Sequence, residues 1–161
     1  MLENTARLRA TEVAQASTED TMIPANDGER LDFFKVKDGE RFAGTHLIID
    51  LWQAERLDEL DFIEETLRSC VEAAGATLLN IDLHHFTPNG GVSGVAVLAE
   101  SHISIHTWPE HCYAAADIFT CGVSLLPRRA ADLIVEMLEC SDVTISDVRR
   151  GEVFASAQAA V

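Results

Sequence analysis

The residues most able to do chemistry are concentrated between positions 100 and 122. Glu100 and Ser101 form an acid–serine peptide bond, His106 follows five residues after the serine, and Cys121 follows twenty residues after it. Each residue alone is compatible with an ordinary place in a buried strand. Together, they predict a self-processing catalytic centre.

A peptide bond that precedes a serine can break from within the chain. The Ser101 hydroxyl attacks the carbonyl carbon of Glu100, and the acyl group moves from nitrogen to oxygen to give an ester. Loss of the Ser101 α-proton eliminates the ester, and the resulting dehydroalanine hydrolyses to a pyruvoyl group and ammonia. This chemistry needs a hydrogen-bond donor at the developing oxyanion and a base near the α-carbon. Ser93 and His106 are the candidates for these two roles.

The pyruvoyl group predicted at Ser101 is a covalent cofactor made from the chain itself. Its ketone can condense with a substrate amine, and the conjugated system accepts the electrons released when a carboxylate leaves, as pyridoxal phosphate does elsewhere. The remaining carbon must be protonated, and a partly exposed thiol at Cys121 is suited to that step. The predicted reaction is a decarboxylation that needs no metal ion.

Three runs of sequence carry a resemblance to a known family. They read HHFTPNGGVSGVAVLA from His84, ESHISIHTWPE from Glu100 and YAAADIFTCG from Tyr113. In these runs the chain resembles the prokaryotic S-adenosylmethionine decarboxylase proenzymes, over residues 43–151. The resemblance implies cleavage between Glu100 and Ser101, which separates residues 1–100 from a pyruvoyl-bearing chain of residues 101–161.

The resemblance also implies the reaction and the roles of three residues. Ser93 and His106 match the family's processing residues, and Cys121 matches its proton donor. The implied substrate is S-adenosylmethionine, whose decarboxylated product donates aminopropyl groups in spermidine and other polyamine synthesis. Relatives in the family act on arginine or ornithine, and these remain alternative substrates.

Substrate-binding residues are implied by the same resemblance. Phe86 matches the aromatic residue that stacks on adenine, and Glu110 and Asp50 match acidic positions that line the site. The loop TPNGGV after Phe86 is one residue longer than the usual pattern, and Cys112 stands where a glycine is common. Both departures lie in the predicted pocket and outside the pyruvoyl chemistry.

Hydrophobic patterning predicts the elements that must position these residues. Hairpin connections such as Pro88-Asn89-Gly90-Gly91 predict a largely antiparallel sheet, and two helices should cover one of its faces. The predicted fold class is α+β, a two-layer α/β sandwich. The predicted strands are 45–52, 77–86, 92–99, 101–107, 114–120 and 144–148, and the predicted helices are 58–74 and one that begins near Pro127.

One face of this sheet stays uncovered by helices, which predicts a homo-oligomer. The resemblance implies a pair of cleaved, two-chain protomers with the site between them. Strand alternation places Ser101 and His106 on opposite faces of the sheet. We expect a bend at the cleavage site to bring them together. Trp108-Pro109 predicts a rigid turn rather than a ligand contact.

Length and composition limit the other classes of function. The 161 residues predict one domain, with residues 1–40 as a poorly organised extension and 41–161 as the decarboxylase domain. A net charge of -15 disfavours a nucleic-acid partner. No apolar run is long enough to span a membrane, and no secretion signal opens the chain, so we expect a cytoplasmic protein. Four cysteines without a CxxC pair predict free thiols.

Three alternatives remain open at this stage. Clustered histidines and cysteines could hold a metal ion, although the sequence has no HExxH and no paired CxxC. Cys121 could be the nucleophile of a thiol hydrolase with His106 as its base, but this leaves the Glu100–Ser101 bond unexplained. The chain could also be a non-catalytic relative, although Ser101 and Cys121 are both intact.

Overall fold

The structure is a computed structural model that describes residues 7–8, 34–37, 39–99, 101–121 and 124–153. A 3-10 turn at Pro109–His111 separates two of its strands. In chain order the elements are β1 (Arg7–Leu8), β2 (Lys35–Lys37), β3 (Glu40–Phe42), β4 (Gly44–Trp52), α1 (Leu60–Ala73), β5 (Leu78–His85), β6 (Val92–Leu98), β7 (Ser101–Trp108), β8 (Tyr113–Thr120), α2 (Pro127–Met137) and β9 (Asp142–Arg150).

In the described part of the chain, seven strands form one sheet in the order β1-β9-β4-β8-β7-β6-β5. Neighbouring strands are antiparallel, except that β1 and β9 are parallel. Strands β2 and β3 form a separate antiparallel pair. Both helices and the central strands contribute to a single apolar core. The predicted two-layer α+β sandwich is therefore confirmed.

Helix α1 forms because its apolar residues recur on one side. Ile63, Leu67, Cys70 and Val71 are all buried, at the spacing that places side chains on a single helix face. Gly75, whose φ is +71°, stands just beyond the end of the helix, where a left-handed conformation suits glycine. The helix begins two residues later than predicted and ends one residue earlier.

Strand β7 shows how the sheet separates its two faces. Ile103, Ile105 and Thr107 are buried on the face that the helices cover. The intervening residues, among them His106 and Trp108, point to the other face. We call this second surface the open face of the sheet, because no described helix covers it.

The open face carries large apolar side chains. By strand alternation, Ile48, Trp52, Val97 and Trp108 all belong to it, and they are 39–45% exposed. Exposed apolar side chains gathered on one face of a sheet are typical of an interaction surface.

Most of the predicted extension, residues 1–40, lies outside the described residues, so the predicted domain division stays a prediction. Strand β2 and the first residue of β3 lie within this extension, and residues 31–33 ahead of β2 are not described. The last strand, β9, is longer than the predicted 144–148. No helix in the described ranges is long and apolar enough to cross a membrane.

Burial predicts which of two substitutions lowers the free energy of unfolding more. Ile105 is fully buried, whereas Leu79 is 64% exposed. We expect Ile105→Ala to lower the free energy of unfolding by roughly 2–5 kcal/mol, because it leaves a cavity beneath the helices. Leu79→Ala, which removes a side chain of similar size, should change it by about 0.5 kcal/mol or less. Urea denaturation followed by circular dichroism measures both, and equal losses would contradict the assignment of the core.

Candidate active site

A cavity of about 410 Å³ opens where β6 and β7 meet the loop after β5. Its volume lies in the range of small-molecule sites. Four of the predicted site residues line it: Phe86, Ser93, His106 and Glu110. The full lining is Phe86, Thr87, Pro88, Asn89, Gly91, Ser93, His106, Thr107, Trp108 and Glu110.

Ser93 and His106 meet at the wall of this cavity. They are directly paired in the ladder between β6 and β7, and both point to the open face. The Ser93 Oγ lies 2.7 Å from the His106 Nδ1. The two predicted processing residues are therefore hydrogen-bonded partners, which leaves the Nε2 of His106 available to a third group.

Thr107 fixes the floor of the cavity from the buried side. Its hydroxyl donates a hydrogen bond to the Leu57 carbonyl and accepts one from the Val92 amide, each 2.7 Å long. Close packing continues at Gly91, where a Cβ would lie 2.7 Å from the Thr107 carbonyl oxygen. Because Val92 precedes Ser93, this clamp helps to hold Ser93 beside His106.

An aromatic row extends from the cavity across the open face. Trp108 stacks on Tyr113 with ring centres 5.3 Å apart, and Tyr113 contacts Trp52 at 4.3 Å. The Tyr113 hydroxyl donates a 2.6 Å hydrogen bond to Asp50. Burial and this hydrogen bond raise the pKa of the Tyr113 phenol to about 12, so it remains a donor at neutral pH.

Asp50 is therefore placed beside the cavity and not in its lining. It pairs with Ala115 of β8, which pairs with His106 of β7. Two strand spacings separate Asp50 from His106, or about 10 Å. Asp50 thus lies in the same cross-strand row of the open face as His106, and the Tyr113 hydroxyl donates a hydrogen bond to its carboxylate.

Ser101 lies at the end of β7 that is farther from the cavity. Its hydroxyl is buried and points to the helix-covered face, as Ile103 and Ile105 do. Five residues of strand separate Ser101 from His106, or about 17 Å. The predicted partner in the cut, Glu100, lies outside the described residues.

The expected bend that would unite Ser101 and His106 is wrong for the described strand. Strand β7 pairs residue by residue with β6 from Ser101 to His106 and with β8 from Ser101 to Trp108. Regular pairing on both sides enforces strict alternation. Within this chain the two residues therefore lie on opposite faces of the sheet and at opposite ends of β7.

Cys121 lies near Ser101 instead. It directly follows Thr120, which is the ladder partner of Ser101. Its side chain is partly buried. The chain thus holds two separate groups of predicted site residues, which we call half-sites. One contains Ser101 and Cys121, and the other contains Ser93, His106 and the cavity.

A polar network occupies the open face near the Ser101 end. Arg150 donates to the Nδ1 of His46 at 3.1 Å, so the Nε2 of His46 carries the hydrogen that meets Asp117, also at 3.1 Å. The His102 ring, next to Ser101 in the chain, lies 6.4 Å from the His46 ring. These contacts fix the tautomer of His46.

The geometry bears on two of the alternative functions. In the described ranges no group of three histidine, cysteine, aspartate or glutamate side chains could hold a metal ion. His106 pairs with Ala115, six residues before Cys121, so His106 and Cys121 are too far apart within this chain to form a cysteine–histidine dyad.

Two residues of the site, Trp108 and Thr107, are not predicted from the sequence. Trp108, predicted as part of a turn, is the last residue of β7 and a wall of the cavity. Thr107 is a polar residue at a buried strand position. A hydroxyl residue at a position where strand alternation predicts an apolar side chain is a signal of such a role. It can be recognised in the sequence once the buried face of the strand is known.

Comparison with known proteins gives a consistent result. A family model described as S-adenosylmethionine decarboxylase matches residues 45–151. The chain is 48% identical to an S-adenosylmethionine decarboxylase proenzyme from Methanococcus vannielii, over 67% of this chain and 89% of that protein. It is 43% identical to one from Thermomicrobium roseum, over 67% and 93%. The crystal structure of the adenosylmethionine decarboxylase from Aquifex aeolicus superposes with a TM-score of 0.64 and 35% identity, over 71% of this chain and 95% of that one.

The four cysteines should differ in reactivity. Burial raises the pKa of both the Cys70 and Cys140 thiols to about 12, so the reactive thiolate is scarce at pH 8. Cys112 is exposed. We expect iodoacetamide at about pH 8 to alkylate Cys112 and to spare Cys70 and Cys140. Peptide mass spectrometry measures the labelling, with denatured protein as the control in which every cysteine reacts, and early labelling of Cys70 would contradict the described burial.

Proposed function

The chain belongs to the S-adenosylmethionine decarboxylase family, and from that premise we propose that it cuts itself before Ser101 and then decarboxylates S-adenosylmethionine. The observation that carries the proposal is the 2.7 Å hydrogen bond between Ser93 and His106 on the wall of a ligand-sized cavity. It supports a processing pair at the positions that the motif requires. The product would be the aminopropyl donor of polyamine synthesis, and we expect the enzyme in the cytoplasm.

Ser101 fits the precursor of a covalent pyruvoyl group. Its hydroxyl is held in a buried position at the first residue of a strand, directly after the proposed cut. The pyruvoyl group supplies the electron sink for decarboxylation. The rest of the chemistry depends on side chains of this chain, which bind the substrate and move protons.

The cavity is suited to an adenosine. The Phe86 ring is 48% exposed at its mouth, and Trp108 forms another wall. Flat apolar rings stack on a purine base, and the Glu110 carboxylate can accept hydrogen bonds from ribose hydroxyls. The chain's acidic net charge also favours a cationic sulfonium substrate over an anionic one.

The complete site requires two protomers. His106 lies about 17 Å from Ser101 on the other face of the sheet, so a base for the Ser101 α-proton must come from elsewhere. The exposed apolar side chains of the open face support a second copy packed there. In such a homodimer His106 of the partner subunit, with its cavity, faces the Ser101 half-site.

The position of Cys121 supports a role in the last proton transfer. It follows the ladder partner of Ser101 and is partly accessible. A thiol delivers its proton to carbon near neutral pH more readily than a hydroxyl does. We assign it to product protonation, and Asp50, fixed by Tyr113, to the substrate side of the open face.

Intact mass spectrometry tests the self-cleavage. We expect two fragments that split between residues 100 and 101, with the second blocked to N-terminal sequencing, and a single uncut chain for Ser101→Ala. Incubation with S-adenosylmethionine, arginine or ornithine should release carbon dioxide only from the first. Borohydride should then trap that substrate on the 101–161 fragment. A wild-type chain that stays whole would contradict the proposal, and release from arginine would contradict the substrate.

Co-expression tests the shared site. We expect His106→Ala protein to remain uncut when expressed alone, because neither protomer carries the base. In a mixed dimer with Ser101→Ala protein, the His106→Ala chain keeps its Ser101 and receives His106 of the partner subunit. It should therefore be cleaved. Differently tagged chains distinguish the products on a gel, and absence of rescue in isolated mixed dimers would contradict a site between protomers.

A further inference from the structure

Two buried hydroxyls at the proposed cleavage site lack partners. The Oγ of Ser101 and the Oγ1 of Thr120 are both inaccessible to solvent, and neither has a hydrogen-bond partner among the described residues. Thr120 as a whole is only 1% exposed. A buried hydroxyl without a partner costs about 1–3 kcal/mol, so two at one place call for a physical explanation.

The two residues stand directly opposite each other. Ser101 of β7 and Thr120 of β8 are partners in the antiparallel ladder. Both side chains point to the helix-covered face, because each alternates in step with buried residues of its own strand. Opposed residues in such a ladder have Cβ atoms about 4.5–5.5 Å apart, and serine–threonine pairs at that separation form hydrogen bonds.

The other buried threonine hydroxyls in the described part of the chain already have hydrogen-bond partners. Thr107 bonds to Leu57 and Val92, and Thr66 bonds to the carbonyl of Phe62 within its helix. His106 points to the opposite face. On the side to which the Ser101 hydroxyl points, Thr120 is therefore the polar side chain placed to meet it.

We propose that the Thr120 hydroxyl, unpaired in the uncut chain, becomes the hydrogen-bond partner of the Ser101 hydroxyl as the chain reacts and that it thereby assists self-cleavage. The inference deepens the proposed function and rests on it. A hydroxyl both accepts and donates, so one residue can serve two successive steps.

In the first step Thr120 accepts a hydrogen bond from the Ser101 Oγ–H and holds the Oγ in position for attack. The new bond joins this oxygen to the Glu100 carbonyl carbon, the carbon–nitrogen bond breaks, and the hydroxyl proton ends on the Ser101 nitrogen. In the second step the α-proton goes to the base and the Cβ–Oγ bond breaks. The Oγ leaves in the new Glu100 carboxylate, to which Thr120 now donates. Thr120 gains or loses no proton overall.

Thr120→Val tests this role, because valine keeps the shape and removes only the hydroxyl. We expect the half-time of cleavage to lengthen about tenfold or more, the effect of losing one hydrogen bond of about 1.4 kcal/mol. The melting temperature of the uncut precursor should stay equal or rise, since an unpaired buried hydroxyl is replaced by a methyl group. Thr120→Ser keeps the hydroxyl and should cleave within about threefold of the wild-type rate.

Thr66→Val is the matched control, since it removes an equally buried hydroxyl that bonds to a carbonyl within its own helix, and it should cleave at the wild-type rate. Wild-type cleavage by Thr120→Val, with Ser101→Ala still uncut, would overturn the role of Thr120 and leave the proposed function intact. Equal slowing by Thr120→Val and Thr120→Ser, together with a lower melting temperature, would assign Thr120 to structure only and would also overturn it. A wild-type chain that never cleaves would instead remove the proposed function itself.

Discussion

Regular pairing of β7 with both of its neighbours is the constraint on which the site depends. Because the ladder has no irregularity between Ser101 and Trp108, side chains must alternate strictly between the helix-covered face and the open face. The hydroxyl of Ser101 is committed to one side and the imidazole of His106 to the other. The chemistry can then be divided by face. In the proposed mechanism Thr120 hydrogen-bonds to the Ser101 hydroxyl beneath the helices, and a base on a second copy approaches the backbone from the open side.

The same alternation accounts for the mixed character of the sheet. Its helix-covered face is filled by Ile103, Ile105 and Ile118, which are buried against both helices. Its open face combines exposed tryptophans with a hydrogen-bonded histidine and aspartate pair. A surface with apolar and polar groups in fixed positions is suited to covering by a partner and to holding a ligand at the same time. The helix-covered side thus carries the apolar core and the Ser101 hydroxyl, while the open side carries His106 and the cavity.

Much of this arrangement can be predicted from the sequence. Apolar spacing locates α1 to within two residues, and the spacing of Ser93, Ser101, His106 and Cys121 identifies the chemistry by resemblance. The limit is register, because pattern alone does not say which residues of two strands stand opposite each other. Only the ladder shows that Ser93 meets His106 and that Ser101 meets Thr120. The expected bend was wrong for the same reason: local sequence gives no sign that β7 is held regularly on both edges.

The aromatic row has an optical consequence. The chain has two tryptophans, Trp52 and Trp108, and both belong to the open face in contact with Tyr113. Their indole emission therefore originates entirely from the surface where a second copy and a substrate are proposed to arrive. Native fluorescence, without any added dye, reports the polarity and quenching of that surface, and it is silent about the helical layer on the other side.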